Sequence, residues 1–371
     1  MGFVHASPDT ATRQDLWDNP EGTDGFEFIE YATHEPEKLA RLFTDMGFTA
    51  VARHRSKNVT LYRQGGVNFV LNAEPDSFAE SFTEAHGPCI NAFAIRVADA
   101  AATYARCLEK GAEGVEGAAG PMELNIPAIK GIGGSLLYLI DRFGDQSIYD
   151  VDFLPITNDQ GGAEEAPAGS GLLYIDHLTH NVEHGHMTQW AGFYERLFNF
   201  REIRFFDIEG KLTGLRSQAM TSPCGQIRIP INEEASAEQT GQIQEYLDAY
   251  HGEGVQHVAL ATGNIVETIA DIASKGVRFL DIPETYYELI DKRLPGHGLD
   301  LDPIRDLSIL VDGAPTEGGG LLLQIFTENV IGPIFFEIIE RRENEGFGEG
   351  NFQALFESIE LDQIRRGVIQ E

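Results

Sequence analysis

Cysteine is scarce in this chain. Cys89, Cys107 and Cys224 are the only three in 371 residues, an odd number without metal-site spacing. That argues against a disulfide scaffold and a thiolate zinc site, and suits a reducing cytoplasm. Positive charge is scarce as well: 27 Lys and Arg stand against 59 Asp and Glu, for a net charge of −32. Such a surface repels polyanions, so nucleic acid and anionic membranes are poor partners. Long apolar runs are missing. None approaches the ~20 residues of a bilayer-spanning helix, and the polar opening MGFVHASPDTATRQDLWDN lacks the apolar centre of a signal peptide. What is present is the complement of a folded protein, 42% hydrophobic and 10% aromatic, in a chain long enough for two domains with full cores.

The apolar pattern completes a unit and then repeats it. GFEFIEYAT reads as a strand and HEPEKLARLFTDMGF as a helix closed by Gly47. TAVARHRSKNVTLYRQGGVNFVLNAE reads as two or three strands turning at Gly65-Gly66. CINAFAIRV and a helix ending in Lys110-Gly111 restart the pattern, which SLLYLIDRFG and SIYDVDFLP close. Asn158 to Ser170, rich in Gly, Ala and acid, reads as a linker. YIDHLTHNV, the helical MTQWAGFYERLFNF, three strand-like runs, GVQHVALAT, a helix ending in Lys275-Gly276, GGLLLQIF and PIFFEII then replay the whole. The expected organisation is a first lobe over 1–157, a linker at 158–170 and a second lobe over 171–371. Each lobe would hold two strand-helix-strand-strand-strand modules, an α+β fold.

Chemistry concentrates in three strand-like segments of the second half. Glu337 sits among Phe335, Phe336, Ile338 and Ile339, where a carboxylate is costly to bury without a cationic partner. That partner is either Arg341 or Arg342 at the strand end, or a metal. Upstream, His177 in YIDHLTHNV and His257 in EGVQHVALAT are separated from one another, and from Glu337, by equal steps of 80 residues. Two imidazoles and one carboxylate on neighbouring strands make the facial triad that leaves positions open on a non-haem Fe(II). A lone strand histidine is ordinarily a hydrogen-bonded core residue, and His180, His184 and His186 are rivals close by. His177 is expected to share a strand face with Ile175 and Thr179, with His180 pointing the other way. The repeat offers an internal comparison. Setting its strands side by side puts Tyr31 opposite His177 and Ala92 opposite His257, with Asp152 the nearest candidate for the place of Glu337. The first lobe should then be metal-free, leaving one site per chain.

Motifs spread along nearly the whole chain carry a family resemblance. They run in order through GFEFIEYAT, HRSKNVTLYRQG at 54–65, GPMELNIPAIKGIGG at 120–134, DHLTHNV, RIPINE, GQIQEYL, GEGVQHVA, TYYE, LLLQIF, FFEIIERR and GFGEGNFQALFESIE. In these the chain resembles the 4-hydroxyphenylpyruvate dioxygenase family. The resemblance implies tandem vicinal-oxygen-chelate (glyoxalase/bleomycin-resistance-like) βαβββ modules forming two lobes, with one Fe(II) held by His177, His257 and Glu337. It places Ser217, Asn232, Gln242, Gln256 and Gln324 in a hydrogen-bond network around substrate. Phe326, Phe335, Phe347 and Phe352 would line the ring pocket, with Gln324 and Phe352 positioning the ring for catalysis. Amphipathic NFQALFESIELDQIRRG would gate the iron. The implied reaction converts 4-hydroxyphenylpyruvate and dioxygen to homogentisate and CO2 in tyrosine and phenylalanine catabolism, in a cytoplasmic homodimer or homotetramer.

Three rivals share parts of this pattern. A 4-hydroxymandelate synthase has the same fold, metal and substrate, but within the resemblance Phe352 and Pro230 match the dioxygenases. An extradiol dioxygenase also uses two histidines and a glutamate, but needs a catechol and further acid–base histidines. A non-catalytic ligand-binding protein of this fold often lacks the metal ligands that this chain has in full.

Overall fold

The computed structural model describes residues 14–115, 124–144, 146–157, 168–209, 214–236, 241–351 and 354. Phe352, the expected terminal helix beyond residue 354 and most of the 158–170 linker lie outside these residues. Among the described residues the strands form one nine-stranded and one eight-stranded sheet. In the second sheet, Leu172–Asn181 is followed by helix Met187–Phe198 and strands Arg201–Glu209, Gly214–Thr221 and Arg228–Glu234. Gly254–Thr262 then begins the same pattern, with helix Ile265–Ser274 and strands Leu310–Gly313, Leu321–Phe326 and Phe335–Arg342. The two βαβββ modules meet at their first strands, Leu172–Asn181 lying antiparallel to Gly254–Thr262. Phe26–Ala32 and Cys89–Arg96 form the matching seam of the first sheet. Helices Ala100–Glu109 and Ile265–Ser274 hold equivalent places, each capped by the side chain before it: Asp99 accepts from Ala102 N–H and Asn264 from Glu267 N–H. No described helix is long and apolar enough to cross a membrane.

Strand alternation gives each sheet two unlike faces. One face of each joins a continuous core that includes Ile29, Tyr31 and Phe69 from the first sheet and Leu178, Val258 and Phe336 from the second. Phe336 stacks on Phe69 with ring centroids 5.8 Å apart, so the two sheets share this core directly. Backbone joins them too. Gln64 Oε1 accepts from Ser170 and Leu172 N–H, and Gly66 N–H donates to Leu173 O at 2.7 Å. At Gly133, φ is +58° and an added methyl would overlap the carbonyl oxygen of Glu253 in the other half. Both the left-handed backbone and the contact demand glycine. Gly133→Ala is expected to lower unfolding free energy by about 2–4 kcal/mol, measured by urea denaturation.

The opposite faces differ in content. In the first sheet this face carries a second apolar cluster, with Phe28, Leu61, Val70, Ala94 and Tyr149. In the second it carries the three candidate ligands.

Candidate metal centre

Two β-bulges build the site. Between Ile175 and His177 the register slips by one residue, so Asp176 is extra on its strand. The expected shared face of Ile175 and His177 is therefore corrected: the bulge turns Ile175 into the common core, while Thr179 stays on the ligand face, its Oγ1 2.9 Å from His257 Nε2. A second slip, between Thr179 and His180, makes Gln256 the extra residue before His257. Each bulged side chain reaches the imidazole that follows it. His177 Nδ1–H donates to Asp176 Oδ1 at 2.8 Å, and His257 Nδ1–H to Gln256 Oε1 at 2.9 Å. Both Nε2 atoms are thereby left free of protons and turned inward.

Glu337 meets them from the next strand, pairing in register with Ala259, which itself pairs with His177. Its Oε2 lies 3.2 Å from His177 Nε2 and 3.3 Å from His257 Nε2, and the two Nε2 atoms are 3.3 Å apart. All three residues are buried, and their ligand atoms lie within 4.8 Å of one another. Three acceptors converging this closely repel unless a cation sits among them. Protonation is one answer: burial disfavours charge on His177, but Glu337 and then Asp176 outweigh it and raise its pKa. Burial, together with His177, lowers that of His257. Burial would raise the Glu337 carboxyl, yet the imidazoles push it down to about 2. A divalent metal is the other answer. Glu337 Oε1, buried and without a hydrogen-bond partner, favours it, since leaving such an acceptor unpaired costs about 1–3 kcal/mol.

The arginine alternative for Glu337 does not survive. Arg341 pairs with Asp176 and Arg342 with Glu340. The rival histidines are engaged elsewhere. His180 Nε2 meets Tyr194 Oη at 2.8 Å on the core side, and burial lowers its pKa to about 3. His184 binds Glu234 O and His186 binds Glu253.

Aromatic rings surround the triad. Phe335 stacks on His257 at 4.8 Å, Phe326 lies 5.9 Å from Phe335, and Phe347 meets His177 edge-on at 5.4 Å. Gln324 pairs with Ile339, two residues along from Glu337, and its carboxamide is buried against Gly348 with Oε1 unpartnered. Ser217 and Asn232 face each other across one strand pair, with Asn232 beside Asn181 further along the His177 strand. Gln242 is exposed at the first residue of helix Gln242–Tyr250, and the structure does not bring it to this cluster. Sequence reasoning missed Asp176 and Arg228. The acid directly before a candidate ligand, and Arg341 four residues beyond Glu337 on one strand face, were the available signals.

Registers also revise the internal comparison. Ala92 does occupy the place of His257: it pairs with Glu30 as His257 pairs with Thr179. The counterpart of His177 is Phe28 rather than Tyr31, because a bulge at Glu27 matches the one at Asp176. The counterpart of Glu337 is Tyr138 rather than Asp152, since Tyr138 pairs with Ala94 as Glu337 pairs with Ala259. Phe28 and Tyr138 fill that space with rings 5.7 Å apart.

Comparison with known proteins agrees with this architecture. Residues 17–154 match the family profile "Hydroxyphenylpyruvate dioxygenase, HPPD, N-terminal", and residues 174–289 the "Glyoxalase/Bleomycin resistance protein/Dioxygenase superfamily". The 4-hydroxyphenylpyruvate dioxygenase of Pseudomonas aeruginosa is 57% identical over 95% of this chain and 97% of its own. The chain belongs to the 4-hydroxyphenylpyruvate dioxygenase family. Within reach of that family, hemolysin VllY of Vibrio vulnificus is 58% identical over 95% of this chain and 98% of its own. A mutant of the 4-hydroxymandelate synthase from Streptomyces coelicolor is similar in structure, with a TM-score of 0.75 and 25% identity over 92% of this chain and 99% of that one.

Proposed function

We propose that this chain is an Fe(II)-dependent dioxygenase that converts 4-hydroxyphenylpyruvate and dioxygen to homogentisate and CO2. The observation that carries the proposal is the inward convergence of His177 Nε2, His257 Nε2 and Glu337 Oε2, both imidazoles being held at Nδ1 by their own neighbours. Two neutral imidazoles and one carboxylate suit a redox-active Fe(II) and leave positions for a bidentate 2-oxo acid and dioxygen. His177, His257 and Glu337 would hold one Fe(II) per chain, which when bound would supply Lewis-acid and one-electron redox chemistry. Atoms balance: one oxygen atom enters the new side-chain carboxylate, the other becomes the added ring hydroxyl, and the original carboxylate leaves as CO2.

The protein's own contribution is placement. Phe326, Phe335 and Phe347, with Phe352, wall the ring and exclude water. Gln324, with a buried unpartnered carbonyl oxygen, offers an acceptor to the phenol, and Ser217 and Asn232 extend the polar lining, whereas Gln242, exposed at its helix start, is left out of it. Gln256 Oε1 is engaged by His257 Nδ1–H, so any service to substrate falls to its amide N–H donors. The substrate is the oxo acid of tyrosine, which places the reaction in tyrosine breakdown. Free Cys89, Cys107 and Cys224 fit a cytoplasmic enzyme, and we extend the proposal to a homodimer or homotetramer.

The likeness to a 4-hydroxymandelate synthase favours one second reading, benzylic hydroxylation at the same iron. Iron content measured together with substrate-dependent oxygen uptake separates both oxygenases from a non-catalytic binding protein. We expect one iron per chain and uptake that requires the oxo acid. Absence of both would overturn the oxygenase reading.

A further inference from the structure

Asp176 is a carboxylate with no solvent exposure of its side chain, yet it touches no expected substrate position. Three cationic or donor groups hold it. Arg341 Nε and Nη2 form a two-pronged clamp on Oδ2 and Oδ1, both at 2.8 Å, Arg228 Nη1 reaches Oδ2 at 3.2 Å, and His177 Nδ1–H donates to Oδ1. The two arginines have second tasks. Arg341 Nη1 donates to Asn344 O and Gly346 O, and Arg228 Nη2 binds Glu345. That turn delivers Phe347, whose ring lies under the Arg341 guanidinium and against His177.

We infer that Asp176 is a positioning residue for the metal: it fixes the His177 tautomer and ring angle, and Arg228 and Arg341 tie it to the turn carrying Phe347. The inference rests on His177 being a metal ligand. A carboxylate accepting from Nδ1–H keeps the Nε2 lone pair on the metal side and makes it a stronger donor, whereas the neutral Gln256 gives His257 orientation alone. The bulge explains how adjacent residues on a strand can touch at all, because successive side chains otherwise point to opposite faces.

The first lobe supplies a control. Glu27 occupies the matching bulge and is likewise anchored by its strand neighbours, accepting from Arg96 at 2.6 Å and Asn68 at 3.5 Å. It is followed by Phe28 rather than a histidine, so there the bulged acid supports the fold and nothing more. A purely structural role for Asp176 predicts that the two acids behave alike.

Anaerobic Co(II) titration of the metal-free full chain tests this, in wild type, Asp176→Asn, Glu27→Gln and His257→Ala. We expect Asp176→Asn to weaken Co(II) binding by roughly 10- to 100-fold and to shift the visible Co(II) spectrum. Glu27→Gln should lower thermal stability while leaving affinity and spectrum unchanged. Wild-type affinity in Asp176→Asn, with loss in His257→Ala, overturns the positioning role. Wild-type affinity in His257→Ala instead overturns the metal site itself. Should Asp176→Asn fail to fold, nitrogen-15 NMR of wild type decides: a proton on His177 Nδ1 in the metal-bound protein is expected, and its absence contradicts the inference.

Discussion

Replacing Glu337 by glutamine is expected to cut oxygen uptake to below roughly one hundredth of wild type, the scale of loss when a key electrostatic contact to the reacting centre is removed. The chain should remain folded. Glu337 lies in the strand Phe335–Arg342 between strands Gly254–Thr262 and Leu321–Phe326, so its backbone is paired on both sides. Its side chain is buried at 3% exposure, where a neutral amide is easier to bury than a carboxylate. What glutamine cannot do is balance a divalent charge beside two neutral imidazoles. Stability and activity should therefore part company, with an unfolding free energy within about 2 kcal/mol of wild type. A merely structural Glu337 predicts the reverse, a stability loss with activity retained. Oxygen-electrode rates beside thermal unfolding of the same preparations decide between the two.

Phe352→Ile is expected to change the product more than the rate. Both oxygenases of this fold share iron and substrate, so the ligand triad cannot choose between ring and benzylic oxidation. The ring's position must choose. The segment leading to residue 352 is firmly held: Gly350 N–H donates to Asp312 Oδ2 at 2.8 Å, and Tyr286 Oη donates to the buried Asn351 Oδ1 at 2.7 Å. Gly348, at φ +79°, lies so close to the Gln324 carboxamide that a side chain there would collide with it. On the proposed reading, a large ring at 352 would press the phenol toward the orientation for attack at C1. A branched aliphatic side chain leaves room to tilt, and a displacement of about 1 Å shifts rates by roughly a hundredfold. A severalfold fall in the homogentisate fraction is expected, with 4-hydroxymandelate or uncoupled oxygen uptake in its place. An unchanged product ratio, by chromatography, would remove Phe352 from ring positioning.

Much of this was legible in the sequence, and the failures have a common cause. The three candidate ligands could be picked out because each is a polar residue in an apolar strand; the step from His177 to His257 follows from the repeat of modules, whereas Glu337 comes from the last strand of the second module. Helix Phe78–His86, helix Gln242–Tyr250 and the short helices between Glu284 and Asp306 were not read, because brief amphipathic turns carry too little periodicity. The misplaced counterparts, Tyr31 and Asp152 in place of Phe28 and Tyr138, trace to bulges and to a strand order that linear alignment does not carry. Bulges insert one residue without any compositional mark, so nothing in the sequence shows that Asp176 reaches the imidazole beside it. Its partners Arg228 and Arg341 come from strands far apart in the chain. Such a network becomes visible only once the sheet order is known.

The most direct test of the account is product identification after anaerobic reconstitution with Fe(II), followed by addition of 4-hydroxyphenylpyruvate and air. Homogentisate as the main product, formed with one CO2 per dioxygen consumed, is predicted. Dominant 4-hydroxymandelate would leave fold, iron and substrate standing but contradict the assigned reaction. No turnover of the oxo acid by the iron-loaded chain would contradict the function altogether.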